Sequence, residues 1–130
     1  MNRKANDIGY ASVILVDDND IDNYIHRRML TNLSFAEEIT IFTSAALALE
    51  TLKGNSEKYP DALFVDLNMP VMDGFTFIRE LKKLPGLIEK TRLIILTSSI
   101  NQEDQDLAHE IDPRIIFFKK PLTAEMLSGI

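Results

Sequence analysis

Apolar residues gather in five short runs along the chain, at 13–16, 38–43, 62–65, 93–96 and 115–118. Runs of strand length, apolar at nearly every position and bounded by polar or turn residues, predict strands buried on both faces. Helical periodicity fills the stretches between them. The clearest case sets Ile21, Tyr24, Ile25, Met29 and Leu33 on one stripe, expected to face the core. Regular alternation of strand and helix predicts an α/β fold with a parallel sheet covered on both sides. Loops are short and marked by Gly54-Asn55-Ser56, Tyr59-Pro60-Asp61 and Pro85-Gly86. No repeat or linker divides the chain, so residues 1–130 are expected to form one domain behind a polar leader, 1–11. The last amphipathic segment, from about 122, stops after roughly two turns, which reads as a short or trimmed helix.

The strand ends carry the chemistry. The first predicted strand runs into Asp17-Asp18, the third into Asp66, the fourth into Thr97 and the fifth into Lys120-Pro121. In an open parallel sheet, ligands collect beyond the carboxyl ends of the strands, so these residues are expected to share one site. Three ionised aspartates and one lysine leave two negative charges there. A hard divalent cation with oxygen ligands, Mg²⁺ or Mn²⁺, balances that sum. The chain's net charge of −6 argues against direct nucleic-acid or anionic-membrane binding. With no cysteine there is no thiolate metal site or thiol nucleophile, and with no long apolar segment there is no signal peptide or membrane span. A cytoplasmic protein is the expectation.

These residues resemble a known family, the receiver domain of bacterial two-component response regulators. The resemblance spans nearly the whole chain. It rests on Val16-Asp17-Asp18, on Asp66 followed by Asn68-Met69-Pro70 and Met72-Asp73-Gly74, on Leu96-Thr97-Ser98, and on Lys120-Pro121. It implies a flavodoxin-like sheet of five strands in order 2-1-3-4-5, with Asp66 as acceptor of a phosphoryl group from a sensor histidine kinase or histidine phosphotransfer protein. Asp18, Asp66 and the main-chain carbonyl of Asn68 would ligate Mg²⁺, and Asp17 would act through water. Lys120 would hold a phosphoryl oxygen, Thr97 would be the switch hydroxyl and Phe117 the switch aromatic. A cis Lys120–Pro121 bond is also implied. The face from 97 to 130 would then move and be read by a downstream protein target. Such a protein catalyses only its own phosphorylation and dephosphorylation.

The same residues admit other readings. Asp17-Asp18 also suits the cap of a helix beginning near Asp20, and Phe117 suits plain core. Gly74 reads as a backbone-permissive turn residue opening the third helix. His26 and His109 fall in helical stretches away from the strand ends and are assigned to surface or satisfied packing. Arg27-Arg28 puts positive charge on the first helix, which in related domains helps dock the phosphodonor and so favours an acidic partner patch. Glu103, Asp104, Asp106 and Glu110 read as a solvated face. A haloacid-dehalogenase-like phosphatase uses similar parts in a different chain order, with its nucleophile first and its acidic pair last. A flavodoxin would offer hydroxyls and amides where Asp17-Asp18-Asn19-Asp20 stands. A receiver cut from a larger regulator or hybrid kinase remains the principal alternative, beside a degenerate receiver that only binds proteins.

Overall fold

The computed structural model describes residues 9–130; the expected leader lies mostly outside them. Five parallel strands, β1 (Tyr10–Val16), β2 (Ala36–Phe42), β3 (Ala62–Val65), β4 (Arg92–Thr97) and β5 (Ile116–Lys119), form one sheet in the order β2-β1-β3-β4-β5. The helices are α1 (Asp20–Asn32), α2 (Ala45–Leu52), α3 (Gly74–Lys82), the single-turn α4 (Leu87–Lys90), α5 (Gln102–Ile111) and α6 (Ala124–Ser128). A 3₁₀ turn covers Ser56–Lys58. Neither it nor α4 is signalled by the hydrophobic pattern, because both are too short to show a period.

Alternation along β1 sends Val13 and Leu15 to one layer and Ile14 and Val16 to the other. The first layer joins Phe35, Phe64, Ile94 and Leu96 to Leu30 of α1 and Leu127 of α6. The second joins Leu63, Val65 and Ile95 to Leu52 of α2, Phe77, Ile78 and Leu81 of α3, and Ala108 of α5. Both faces of the sheet are thereby closed, as the unbroken apolar strands require.

β1 begins two residues inside the expected leader. Tyr10 pairs with Ala36, and its ring packs edge-on against Phe35 with centroids 5.1 Å apart. Just before β3, the Asp61 carboxylate accepts from the backbone N–H of Ala11 at 2.8 Å and of Ser12 at 3.2 Å. Lys90 closes on the other Asp61 oxygen at 2.6 Å. Burial raises the Asp61 pKa, but the bonds from Lys90, Ser12 and Ala11 outweigh it and hold the carboxyl below its ordinary range. At the far end, Thr123 caps α6 by accepting from the Met126 N–H, so that helix starts at Ala124 rather than near 122.

The stripe expected to bury α1 faces outward. Ile21, Tyr24 and Ile25 are 70%, 60% and 44% exposed, whereas Asn23, His26 and Leu30 are buried. The reason is polar. Asn23 Nδ2 donates to the Asp17 carbonyl at 2.7 Å, which turns the first half of the helix so that an amide and an imidazole point inward. Only Met29 and Leu33 of the stripe pack against the core.

Asp112, buried at the end of α5, ties this end of the domain together. It accepts from Arg114 N, Nε and a terminal guanidinium nitrogen at 2.8, 3.0 and 2.9 Å, and Lys82 of α3 lies 3.6 Å away. The side-chain bonds from Arg114 are the main cause that holds its carboxyl at about 2, below the ordinary 3.8. Because the folded pKa is depressed, this stabilisation is complete above about pH 4 and is lost as pH falls through about 2. Asp112→Asn is expected to cost about 1–2 kcal/mol at neutral pH and to flatten the acid limb of stability below pH 4, read by urea unfolding at several pH values.

Candidate functional site

The ladder between β1 and β3 ends on the pair Val16–Val65, so Asp17 and Asp66 leave adjacent strands side by side. Backbone bonds fix both: Asp17 N–H donates to the Phe42 carbonyl and Asp66 N–H to the Val16 carbonyl. Asp18 follows as an exposed neighbour. One carboxylate oxygen from each of Asp17, Asp18 and Asp66 lies within 4.8 Å of the others. On the opposite flank, the ladder between β4 and β5 ends on Thr97–Lys119, and Lys120 N–H donates to the Thr97 carbonyl at 2.7 Å. This register carries Lys120 over the carboxylates. The Lys120–Pro121 peptide is cis, as the resemblance implies.

Lys120 Nζ donates to Asp17 Oδ2 at 2.7 Å and stands 3.6 Å from Asp66 Oδ1. The other Asp17 oxygen accepts from the Asn19 N–H at 2.9 Å, so both its oxygens are engaged by protein donors. Asp66 accepts from the backbone N–H of Asn68. Burial raises the Asp66 pKa above the ordinary carboxylate range; Lys120 opposes this, and the charges of Asp17 and Asp18 add to it. Lys120 moves up as well, since its partners Asp17, Asp22 and Asp66 outweigh the burial that would lower it. Like charges held this close in a half-desolvated pocket make a site for a hard divalent cation, and an all-oxygen donor set fits one.

Other residues stand as follows. Thr97 is buried, and its hydroxyl donates to the Ser99 carbonyl at 3.3 Å, turned onto its own loop. Phe117 is half-buried and packs against the second core layer. The α1 cap is Asn19, whose side chain accepts from the Asp22 N–H, which frees Asp17 and Asp18 from that task. Gly74 does not sit at positive φ; it is required by close approach, since a Cβ there would lie 2.6 Å from the Asp66 carbonyl oxygen and 2.8 Å from Leu67 Cα. α3 therefore packs directly on the backbone of Asp66.

Two residues correct the expected site. His26 is buried and lines a narrow cavity with Asp17, Asn23 and Asp66, so it lies close beneath the strand ends rather than away from them. Burial and the Lys120 charge push its pKa below the ordinary value against the pull of Asp22 and Asp17. His109, by contrast, is satisfied by the Ile115 carbonyl at 3.2 Å. Asp22 is the larger omission: its Oδ2 accepts from Lys120 Nζ at 2.7 Å. With Asp22 counted, the cluster holds four carboxylates against one ammonium, one negative charge more than the strand ends alone supply. Its position on the inward side of the first α1 turn was the available signal, hidden by the misjudged helix face.

Residues 13–129 match the family model described as response regulator receiver domain. The chain belongs to that family. The receiver is 34% identical over 120 residues to the sensor histidine kinase CheAY of Helicobacter pylori, covering 91% of this chain and 14% of that one. It is 26% identical to response regulator Rcp1 of Synechocystis, covering 76% of this chain and 69% of that protein. It thus spans only a small part of the long kinases among its curated relatives. Among solved structures, a two-component response regulator from Cytophaga hutchinsonii superposes with a TM-score of 0.85 at 29% identity, over 93% of both chains. The Mn²⁺-bound form of Rcp1 superposes with a TM-score of 0.72 at 25% identity, over 92% of this chain and 91% of that one. No helix among the described residues is long and apolar enough to cross a membrane.

The raised Asp66 pKa marks a carboxylate whose charge destabilises the fold, a contribution that appears as pH rises through its folded pKa. Asp66→Asn is accordingly expected to raise the melting temperature by a few degrees at pH 7 in the presence of a chelator, measured by calorimetry, and to lose that advantage near pH 4.

Proposed function

We propose that this receiver is a phosphorylation-controlled switch in which Asp66 accepts a phosphoryl group from a phosphohistidine of a sensor histidine kinase or histidine phosphotransfer protein. The observation that carries the reading is the convergence of Asp17, Asp18 and Asp66 within 4.8 Å, with Lys120 Nζ 3.6 Å from Asp66. An Asp66 carboxylate oxygen attacks phosphorus, the P–N bond breaks, and its electron pair leaves on the imidazole nitrogen, which is protonated from solvent. An acyl phosphate remains on Asp66. Dephosphorylation is attack by water on the same phosphorus, with the P–O bond to Asp66 breaking so that the free carboxylate and inorganic phosphate are released.

Asp18, Asp66 and the Asn68 main-chain carbonyl would hold Mg²⁺ or Mn²⁺ directly, and Asp17, whose oxygens already accept from Asn19 and Lys120, would act through water. The bound cation supplies neutralisation of the phosphoryl oxygens in a transfer that depends on positioning and electrostatics. After transfer, Lys120 gains a more highly charged acceptor than the carboxylate it now faces. The Thr97 hydroxyl exchanges the Ser99 carbonyl for a phosphoryl oxygen, drawing its loop inward, and Phe117 follows into the space released. Residues 97–130 form the surface that a downstream protein target reads.

Similarity to segments of long histidine kinases supports a second reading, in which the same chemistry serves as one part of a larger regulator. The site residues keep their roles in it.

Incubation with Mg²⁺ and acetyl phosphate, followed by intact-mass measurement, is expected to add one phosphoryl group to the wild type and none to Asp66→Asn. Multiple turnover on varied phosphoesters would instead favour a phosphatase. Mg²⁺ at ten times its dissociation constant is expected to stabilise the fold by about 1.4 kcal/mol through linkage, and Asp18→Ala is expected to abolish most of that response. A melting temperature indifferent to millimolar Mg²⁺ would remove the metal from the mechanism.

A further inference from the structure

Lys120 is held from two elements. Two of its three ammonium donors go to Asp17 Oδ2 of the β1 loop and Asp22 Oδ2 of α1, each at 2.7 Å, whereas Asp66 Oδ1 at 3.6 Å is beyond hydrogen-bond reach. Asp22 is not a loose surface arm. Its backbone N–H donates to the Asn19 cap at 2.9 Å, and the next residue, Asn23, anchors the helix to the Asp17 carbonyl at 2.7 Å. The carboxylate thus stands on a preorganised turn, and the Lys120 side chain it meets is only 12% exposed. Ion pairs in such surroundings are screened far less than those on an open surface.

We infer that Asp22 is a positioning residue for Lys120: it holds the ammonium short of Asp66 in the unmodified receiver and adds a fourth negative charge that opposes phosphoryl entry. This rests on the reading of Asp66 as phosphoacceptor. Asp22 then acts as a brake on phosphorylation, felt most by small anionic donors that bring their whole charge into the pocket. Releasing the ammonium from Asp22 gives it to the incoming phosphoryl oxygens. A merely structural role, as an acidic residue in the first turn of α1, would stabilise the helix without touching Lys120.

The test compares wild type with Asp22→Asn, Asp22→Ser and Asp22→Glu in the full chain. Two quantities are measured: the initial rate of acyl-phosphate formation with acetyl phosphate at saturating Mg²⁺ over a range of ionic strength, and the Lys120 ammonium resonance by ¹⁵N NMR. Both neutral variants are expected to react about fivefold faster at low salt, with the gain shrinking as salt rises, and to broaden or shift the ammonium resonance. Asp22→Glu should restore the wild-type rate at least in part. Two neutral variants keep the test alive if one fails to fold. A rate in the neutral variants that equals or falls below wild type, with wild type labelled at Asp66, overturns the inference whatever the resonance does. If wild type is not labelled at all, the Asp66 reading fails instead, and an unmoved resonance would separately show that Asp22 does not position Lys120.

Discussion

Asp17 and Asp66 leave neighbouring parallel strands whose ladder stays in register to its last pair, Val16 with Val65, so the backbone itself fixes two carboxylates side by side. No side-chain rearrangement can relieve that repulsion fully, because both strands are buried on both faces and cannot slide without turning apolar residues outward. The remainder of the pocket is a response to this constraint. Lys120 is brought across from β5, Asn19 and Asn68 offer backbone donors, and an all-oxygen cluster is left suited to a divalent cation. Stability is conceded at Asp66, where burial and the charges of Asp17 and Asp18 raise the carboxyl pKa against the pull of Lys120.

The fold was readable because its strands are simple. Continuous apolar runs, each ending in a chemically distinctive residue, located all five strands to within a few residues and predicted the parallel sheet. The same feature located Asp17, Asp18, Asp66, Thr97 and Lys120 at one edge, since a strand-end position depends on strand placement alone. Side-chain direction beyond the strands is a different matter. The Thr97 hydroxyl, at the end of β4, turns onto the Ser99 carbonyl of its own loop, a direction that no pattern of apolar positions signals.

The inward face of α1 is rotated by about one residue from the one its apolar stripe predicts, and the difference has chemical consequences. Hydrophobic periodicity scores apolar positions, whereas the inward face of this helix begins with Asn23 and His26, placed there by a hydrogen bond to the Asp17 carbonyl. A helix docked by polar anchors at one end and Leu30 at the other carries a weak apolar signal on its true core side and a misleading one outside. Asp22 is hidden for the same reason, and a charge sum over the strand ends alone is short by one. Gly74 shows the converse: its place at the opening of α3 is legible in the sequence, but what requires a glycine there, the close approach of α3 to the Asp66 carbonyl, is a tertiary fact.

The Asp61 carboxylate, clasped by the Ala11 and Ser12 amides and by Lys90, occupies the flank of β1 where β3 has not yet begun. A strand that outruns its neighbour normally presents bare amides, an invitation for a strand of another molecule to add itself to the sheet. Here a charged side chain fills that place and carries a lysine with it. The overhang of β1 is thereby made a poor template for aggregation, and among the described residues one ion pair guards this end of the sheet.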